Sequence, residues 1–157
     1  HLAGHQRRQD VHALHVVHRD LKPSNVMLTD QRVKILDFGI ARMAGNSKIT
    51  QTGYAVGSPL YMSPEQLQGL PLDGRSDLYS MGVLAFALTA GREPFVGDNL
   101  TVVAIHHIQN APPDLRKLRP DVPDAWVRFV DKLLKKPPEE RLPTARAVLE
   151  AIQTLPV

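Results

Sequence analysis

The sequence lacks cysteine and has no apolar run approaching the ~20 residues that a membrane-spanning helix needs. Without cysteine the chain can form neither a disulfide framework nor a thiolate metal site, which fits a reducing compartment. The first residues are polar and rich in histidine, unlike a secretory signal. Excess charge of one sign is also small, since the formal net charge is +3, so composition predicts neither a nucleic-acid nor a membrane partner.

What remains is an ordinary globular composition. Hydrophobic residues make up 43% and charged residues 22% of the 157 residues, a length sufficient for one domain with a core. The 13 prolines fall mostly between predicted elements. Together these features indicate a helical domain with long ordered connections.

The most informative stretch runs from His18 to Gly39. It begins H-R-D-L-K-P-S-N and ends D-F-G. Between these motifs, the runs V-M-L and V-K-I-L flank a polar T-D-Q-R, a pattern that predicts two strands joined by a turn. Such a hairpin would bring Asn25 close to Asp37, and two hard oxygen ligands side by side suit Mg²⁺.

The two motifs, in this order and at this separation, resemble the catalytic loop and metal-binding motif of eukaryotic-type protein kinases. The K-P-S-N form resembles the Ser/Thr-specific loop, and G-I-A-R and S-P-E-Q further on are similar to bacterial Ser/Thr kinases. The resemblance runs from about Ala13 to Leu155. It implies the C-terminal lobe of a kinase, an α+β but mainly helical bundle with a small β-hairpin at the catalytic cleft. We assign residues 13–157 to this lobe and residues 1–12 to an irregular segment.

The resemblance implies transfer of the γ-phosphoryl group of ATP to Ser or Thr hydroxyls of a protein substrate, with ATP and Mg²⁺ as cofactors. Asp20 would orient the hydroxyl and accept its proton, and Lys22 would offset charge on the moving phosphoryl group. Asn25 and Asp37 would hold Mg²⁺. The predicted nucleotide site comprises Lys22, Ser24, Asn25 and Asp37.

A polar stretch over residues 40–57 has the position of the family's activation loop. Three hydroxyl residues in it are candidate phosphoacceptors, with plain exposed hydroxyls as the equal alternative: Ser47, Thr50 and Thr52. Arg19 is expected to be buried beside the catalytic aspartate and to need an anion, which a loop phosphate supplies through bidentate bonds. Ser58 stands where the family usually has threonine and keeps a hydroxyl for bonds to Asp20 and Lys22.

Four residues are predicted to support the site, His18 among them. The segment S-P-E-Q resembles the end of the family's substrate-docking segment, and it reads as a helix start with serine at the N-cap and glutamine at N3. The resemblance pairs Glu65 with Arg141. It also implies that Asp77 accepts backbone N–H groups of the catalytic loop, although Asp77 could instead interact with the N-terminus of its own helix.

Later segments predict four further helices. The first is apolar nearly all round, Leu88 included, so we expect it to be buried, and it ends at Gly91. A short helix covers residues 100–108, and a one-sided helix carries Trp126 through Leu134. Thr144 caps the last helix.

The sequence contains no G-x-G-x-x-G and no lysine in a V-A-I-K-like strand, both of which belong to the N-terminal lobe of a kinase. We therefore expect that lobe to be absent from these residues and turnover by the chain alone to be low. Two alternatives stay open, a non-catalytic kinase-like binding module and an inactive fragment of a longer kinase. The resemblance implies a cytoplasmic location, free or as the cytoplasmic part of a membrane-anchored kinase. Oligomeric state has no signal in the sequence.

Overall fold

The computed structural model describes residues 16–36 and 59–156. These two ranges contain one β-hairpin followed by α-helices, so the mainly helical α+β fold predicted from the sequence is confirmed. The elements are β1 (Val26–Thr29), β2 (Arg32–Ile35), α1 (Pro64–Leu67), α2 (Gly74–Ala90), α3 (Leu100–Gln109), α4 (Leu115–Leu118), α5 (Asp124–Leu133) and α6 (Ala145–Gln153). None of the helices in these ranges is long and apolar enough to cross a membrane.

The predicted hairpin is present, with a shorter turn than the sequence suggested. Strands β1 and β2 are antiparallel, and Thr29 pairs with Arg32, so only two residues form the turn. Beyond the last strand pair, the Leu36 N–H donates to the Asn25 carbonyl at 2.8 Å. Asn25 therefore lies beside the residue that immediately precedes the second predicted motif.

Helix α2 forms the centre of the core and packs against α5. The buried side chains of the two helices include Leu78, Tyr79, Val83, Phe86, Val127, Val130 and Leu133. A Cβ atom at Gly82 of α2 would lie 2.7 Å from the Cβ of Leu133, so glycine is what allows the helices this close approach. One expectation for α2 was wrong in part, because Leu88 is 77% exposed rather than buried.

The helix ends follow the predicted capping chemistry. Ser63 and Gln66 form a reciprocal capping box at the start of α1, and the Thr144 hydroxyl caps α6. Gly91 ends α2 in the left-handed region at φ 74°. Helix α4 was not predicted, because four residues carry too little periodicity to reveal a helix.

A buried polar chain joins α3 to α2. The ring of His107 has no exposed surface and packs edge-on against Phe95. Its Nδ1 forms a hydrogen bond of 2.9 Å with the Tyr79 hydroxyl. Lys136 donates to the same hydroxyl at 3.3 Å. Burial, reinforced by the Lys136 charge, lowers the pKa of His107 to about 4. The imidazole is therefore neutral near pH 7 and acts as a packed core residue.

Candidate active site

The backbone of the H-R-D motif is held by the buried carboxylate of Asp77. Its Oδ2 accepts the His18 N–H at 2.8 Å and its Oδ1 accepts the Arg19 N–H at 3.0 Å. Asp77 lies in the first turn of α2, where Asp73 is the N-cap residue. The predicted contact with the catalytic loop is therefore present, and the central helix fixes the loop's position.

The His18 side chain joins the loop to the hairpin. Its Nδ1 accepts the Asp20 N–H at 3.2 Å, which assigns the ring proton to Nε2, and Nε2 then donates to the Leu36 carbonyl at 2.9 Å. The buried ring thus spans from the backbone of Asp20 to the end of β2. His18 supports the geometry of the loop and leaves the Asp20 side chain accessible.

Two polar side chains of the motif, those of Lys22 and Asn25, converge on one carboxylate oxygen of Asp20. The Oδ2 atom of Asp20 accepts a hydrogen bond from Nδ2 of Asn25 at 3.1 Å and lies 3.2 Å from Nζ of Lys22. The Asn25 amide also donates to the Asp20 carbonyl at 2.8 Å. Both charged side chains retain exposure, 24% for Lys22 and 22% for Asp20, so the group is fixed but open to solvent.

Asn25 is oriented so that its amide oxygen stays available. Both hydrogen bonds of the buried side chain are made by Nδ2, and within residues 16–36 and 59–156 no donor reaches Oδ1. An amide oxygen is a hard ligand of the kind that Mg²⁺ prefers. The described half of the predicted magnesium site therefore fits the ion. Asp37, the other predicted ligand, lies outside the described residues.

Glu65 of α1 and Arg141 form a buried ion pair. The pair is bidentate, with Nη1 to Oε1 at 2.6 Å and Nη2 to Oε2 at 2.8 Å. Burial raises the pKa of the Glu65 carboxyl, but hydrogen bonds from Arg141 and Ser76 outweigh it, so the pKa lies below its usual value. The carboxylate is therefore ionised at neutral pH.

Every N–H group of the Arg141 guanidinium has an acceptor. Besides the two bonds to Glu65, Nε donates to Lys135 O, Nη1 to Arg75 O and Nη2 to Lys136 O, all within 2.9 Å. Five donors in a planar fork meet five acceptors, the arrangement that makes a buried arginine tolerable. One side chain thereby fixes α1, the start of α2 and the turn before residue 138.

The structure shows fewer contacts, or none, for the remaining predicted residues that it describes. Ser24 is exposed, and Arg19 is half-buried rather than buried. The structure reports no ionic partner for the Arg19 guanidinium within the two described ranges. Four further predicted positions lie outside those ranges: Ser47, Thr50, Thr52 and Ser58.

One contact of the loop was missed by sequence reasoning. Gln66 was expected only as the third residue of a helix cap, yet its Nε2 also donates to the Arg19 carbonyl at 2.8 Å. Arg19 has φ 69°, a left-handed conformation that is uncommon outside glycine. No local sequence signal marks a bond between residues so far apart in the chain.

Comparison with known proteins identifies the family of the chain. The family model described as the protein kinase domain matches residues 9–152. This match covers most of the chain, and the chain belongs to the protein kinase family. Its relatives include bacterial serine/threonine-protein kinases.

Three of these relatives show the extent of the similarity. The chain is 41% identical to a serine/threonine-protein kinase of Corynebacterium glutamicum, with 92% of this chain and 30% of the relative covered. Identity to a probable serine/threonine-protein kinase of Clostridium acetobutylicum is 39%, covering 89% of this chain and 22% of the relative. A probable serine/threonine-protein kinase of Streptomyces coelicolor is 44% identical, with 85% of this chain and 20% of the relative covered. The chain therefore spans less than a third of each of these relatives.

Proposed function

We propose that this chain is the catalytic lobe of a protein serine/threonine kinase that transfers the γ-phosphoryl group of ATP to Ser or Thr side chains of a protein. The observation that carries the proposal is the Asp20 carboxylate, held by Lys22 and Asn25 on a backbone fixed by Asp77. The proposed partners are ATP, Mg²⁺ and a protein substrate, and the proposed location is the cytoplasm.

Asp20 is the residue proposed to act on the substrate hydroxyl. Lys22 and Asn25 both contact Oδ2, and among the described residues nothing donates to Oδ1. Oδ1 is therefore the oxygen that would accept a hydrogen bond from the Ser or Thr hydroxyl and take its proton during transfer. Because the peptide on either side of Asp20 is fixed, the carboxylate needs little reorganisation to do so.

Lys22 and Asn25 are proposed to serve the phosphate side of the reaction. Lys22 is a cation within bonding distance of the proposed base, so it can offset negative charge as the phosphoryl group moves between oxygens. Asn25 would hold Mg²⁺ through Oδ1, together with Asp37. When bound, the ion neutralises phosphate charge.

Arg19 is proposed to bind a phosphate carried on residue Ser47, Thr50 or Thr52. Its guanidinium has no ionic partner within the described ranges, and a phosphate is the anion that a planar fork binds best. Such a phosphate would order the surrounding loop. Mass spectrometry of an active preparation that found no phosphate in residues 40–57 would contradict this proposal.

The catalytic proposal is tested by replacing Asp20 in a chain that is joined to the N-terminal lobe of a protein kinase. That lobe supplies the Gly-rich loop and the strand lysine. We expect transfer of radiolabel from ATP to a generic protein substrate, and a loss of about 10²- to 10⁴-fold in kcat for Asp20→Asn, because the amide cannot accept the proton.

Asp30→Asn is the matched control, since Asp30 is an exposed carboxylate in the hairpin turn. It should leave kcat unchanged. Equal activity of the fusion and its Asp20→Asn variant would overturn the assignment. Inactivity of the fusion itself would favour a non-catalytic binding module.

A further inference from the structure

The Arg19–Asp20 peptide is held at both of its edges. A peptide group is planar, so its carbonyl and its N–H turn together. The carbonyl of this peptide, which belongs to Arg19, accepts a hydrogen bond from Nε2 of Gln66 at 2.8 Å. Its N–H, which belongs to Asp20, donates to Nδ1 of His18 at 3.2 Å. These two bonds fix the plane from which the Asp20 side chain projects.

The conformation that the two bonds maintain is one that the chain does not adopt readily. Arg19 has φ 69°, and a residue with a Cβ atom loses roughly 1–2 kcal/mol in this left-handed region. Such a conformation persists only where the surroundings determine it. Asp77 holds the Arg19 N–H at 3.0 Å, and Gln66 holds the Arg19 carbonyl. Arg19 is thus bonded at both backbone ends to separate helices.

The amide of Gln66 has one role for each of its atoms. Oε1 accepts the Ser63 N–H at 3.1 Å and completes the cap of α1, while Nε2 serves the catalytic loop. The orientation is unambiguous because the Ser63 N–H can only donate and the Arg19 carbonyl can only accept. Glutamate would fill the capping role equally well, since a capping box accepts either residue. Only glutamine also supplies the donor to Arg19.

We infer that Gln66 is a positioning residue that couples helix α1 to the catalytic loop and sets the direction of Asp20. The inference rests on the proposed function for its effect on catalysis. The coupling itself is a property of the described structure. Displacement of α1 would withdraw the donor from the Arg19 carbonyl and release the peptide that carries Asp20.

Gln66→Glu separates the two roles of the side chain. It preserves the cap acceptor, removes the donor and places a carboxylate oxygen against the Arg19 carbonyl. Gln68→Glu is the matched control, because Gln68 lies just beyond the same helix and its Nε2 donates locally to the Pro64 carbonyl at 3.0 Å. Both variants add one negative charge, at residues only two positions apart.

The first readout uses the 157-residue chain and needs no catalysis. Amide hydrogen exchange at Asp20 should become about tenfold faster in Gln66→Glu, and the carbonyl ¹³C resonance of Arg19 should move. Gln68→Glu should leave both unchanged. Similar exchange at Asp20 in the two variants would overturn the inference and leave Gln66 as a capping residue.

Two further variants cover the case in which Gln66→Glu does not fold. Gln66→Met removes the donor without adding charge, and Ser63→Ala weakens the cap while retaining the Gln66 donor. Faster exchange at Asp20 in Gln66→Met but not in Ser63→Ala supports the coupling. Equal exchange in both contradicts it.

The second readout is kinetic and uses the fusion described above. Gln66→Glu should lower kcat about tenfold with little change in KM for ATP, because the nucleotide contacts are retained while Asp20 is misdirected. An unchanged kcat would contradict the catalytic part of the inference. If the Asp20→Asn fusion is as active as the parent fusion, the assignment of Asp20 fails, and if the parent fusion is inactive, the proposed function fails. In both cases the exchange measurement still decides the role of Gln66.

Discussion

At the residue scale, the architecture depends on a few buried polar side chains whose hydrogen-bonding capacity is almost fully used. All five N–H groups of the Arg141 guanidinium have acceptors, and Asp77 accepts two backbone N–H groups of the catalytic loop. A group of this kind adds little net stability when paired but costs much when its partner is removed. Substitutions that remove one partner should therefore be far more damaging than their size suggests.

Glu65→Gln should lower the free energy of unfolding by about 3 kcal/mol at pH 7, because it leaves the Arg141 charge buried without a counter-ion. The pKa of Glu65 is lowered in the folded state, so the ion pair contributes fully above the unfolded value of 4.5 and is lost as pH falls through the folded pKa. Urea unfolding should therefore show the gap between wild type and variant narrowing below pH 4.5. A constant gap would contradict this assignment. The exposed Glu140→Gln is the control and should have little effect.

Asp77→Asn should lower the free energy of unfolding by about 1–3 kcal/mol, because one amide oxygen cannot accept both N–H groups and the new NH₂ opposes one of them. Asp73→Asn keeps its capping role and serves as the control. Urea unfolding, with hydrogen exchange at His18 and Arg19, measures both effects. Equal behaviour of the two variants would show that Asp77 does not hold the loop.

The sequence predicted single residues well where the rule was local or the motif was specific. Ser63 as a cap and the Glu65–Arg141 pair are examples. It could not reveal the donor from Gln66 to Arg19, since a long-range contact of an ordinary capping residue leaves no pattern. The positive φ of Arg19 was equally hidden, because non-glycine residues carry no sign of it.

At the element scale, the hairpin and the longer helices follow from periodicity, and their contacts follow from residue size. Helix α5 was predicted from one-sided spacing, and the structure places it from Asp124 to Leu133. Its close approach to α2 required knowledge of which helix faces Gly82. Sequence periodicity identifies a buried face but not the partner that covers it, which is why this packing was not predicted.

Gly82→Ala tests the contact between α2 and α5. Helix propensity alone predicts a gain of about 1 kcal/mol for alanine. The new Cβ would meet Leu133 Cβ at 2.7 Å and Leu134 Cδ2 at 3.2 Å, so we expect a net loss of about 1–3 kcal/mol from overpacking. Thermal unfolding measures the sign, and an increase in stability would contradict the close packing.

At the scale of the whole molecule, the described residues form one wall of the proposed reaction site. The hairpin beside that wall carries exposed apolar side chains, including Leu28 at 77% and Val33 at 64%.

The family was predicted from two motifs alone, and the comparisons confirm it. The boundaries at residues 12 and 13 stay a prediction, as do the roles of the phosphoacceptor candidates.

The 157-residue chain should bind Mg²⁺–ATP only weakly, with a Kd above about 1 mM. Asp20, Lys22 and Asn25 address the phosphate end of the nucleotide, whereas the Gly-rich cradle and strand lysine are not encoded in these residues. Isothermal titration calorimetry decides the matter, with the active fusion as the positive control. A micromolar Kd for the chain alone would contradict the prediction.

The hydrogen bonds of Arg141 also have a consequence for folding while the chain is being synthesised on the ribosome. All its acceptors, on Glu65, Arg75, Lys135 and Lys136, are synthesised before it. Helix α1 can form its cap early, but its buried carboxylate has no counter-ion until residue 141 has emerged from the exit tunnel. We therefore expect a nascent chain stalled before Arg141 has left the tunnel to remain sensitive to protease around α1, and protection to appear only once Arg141 has emerged.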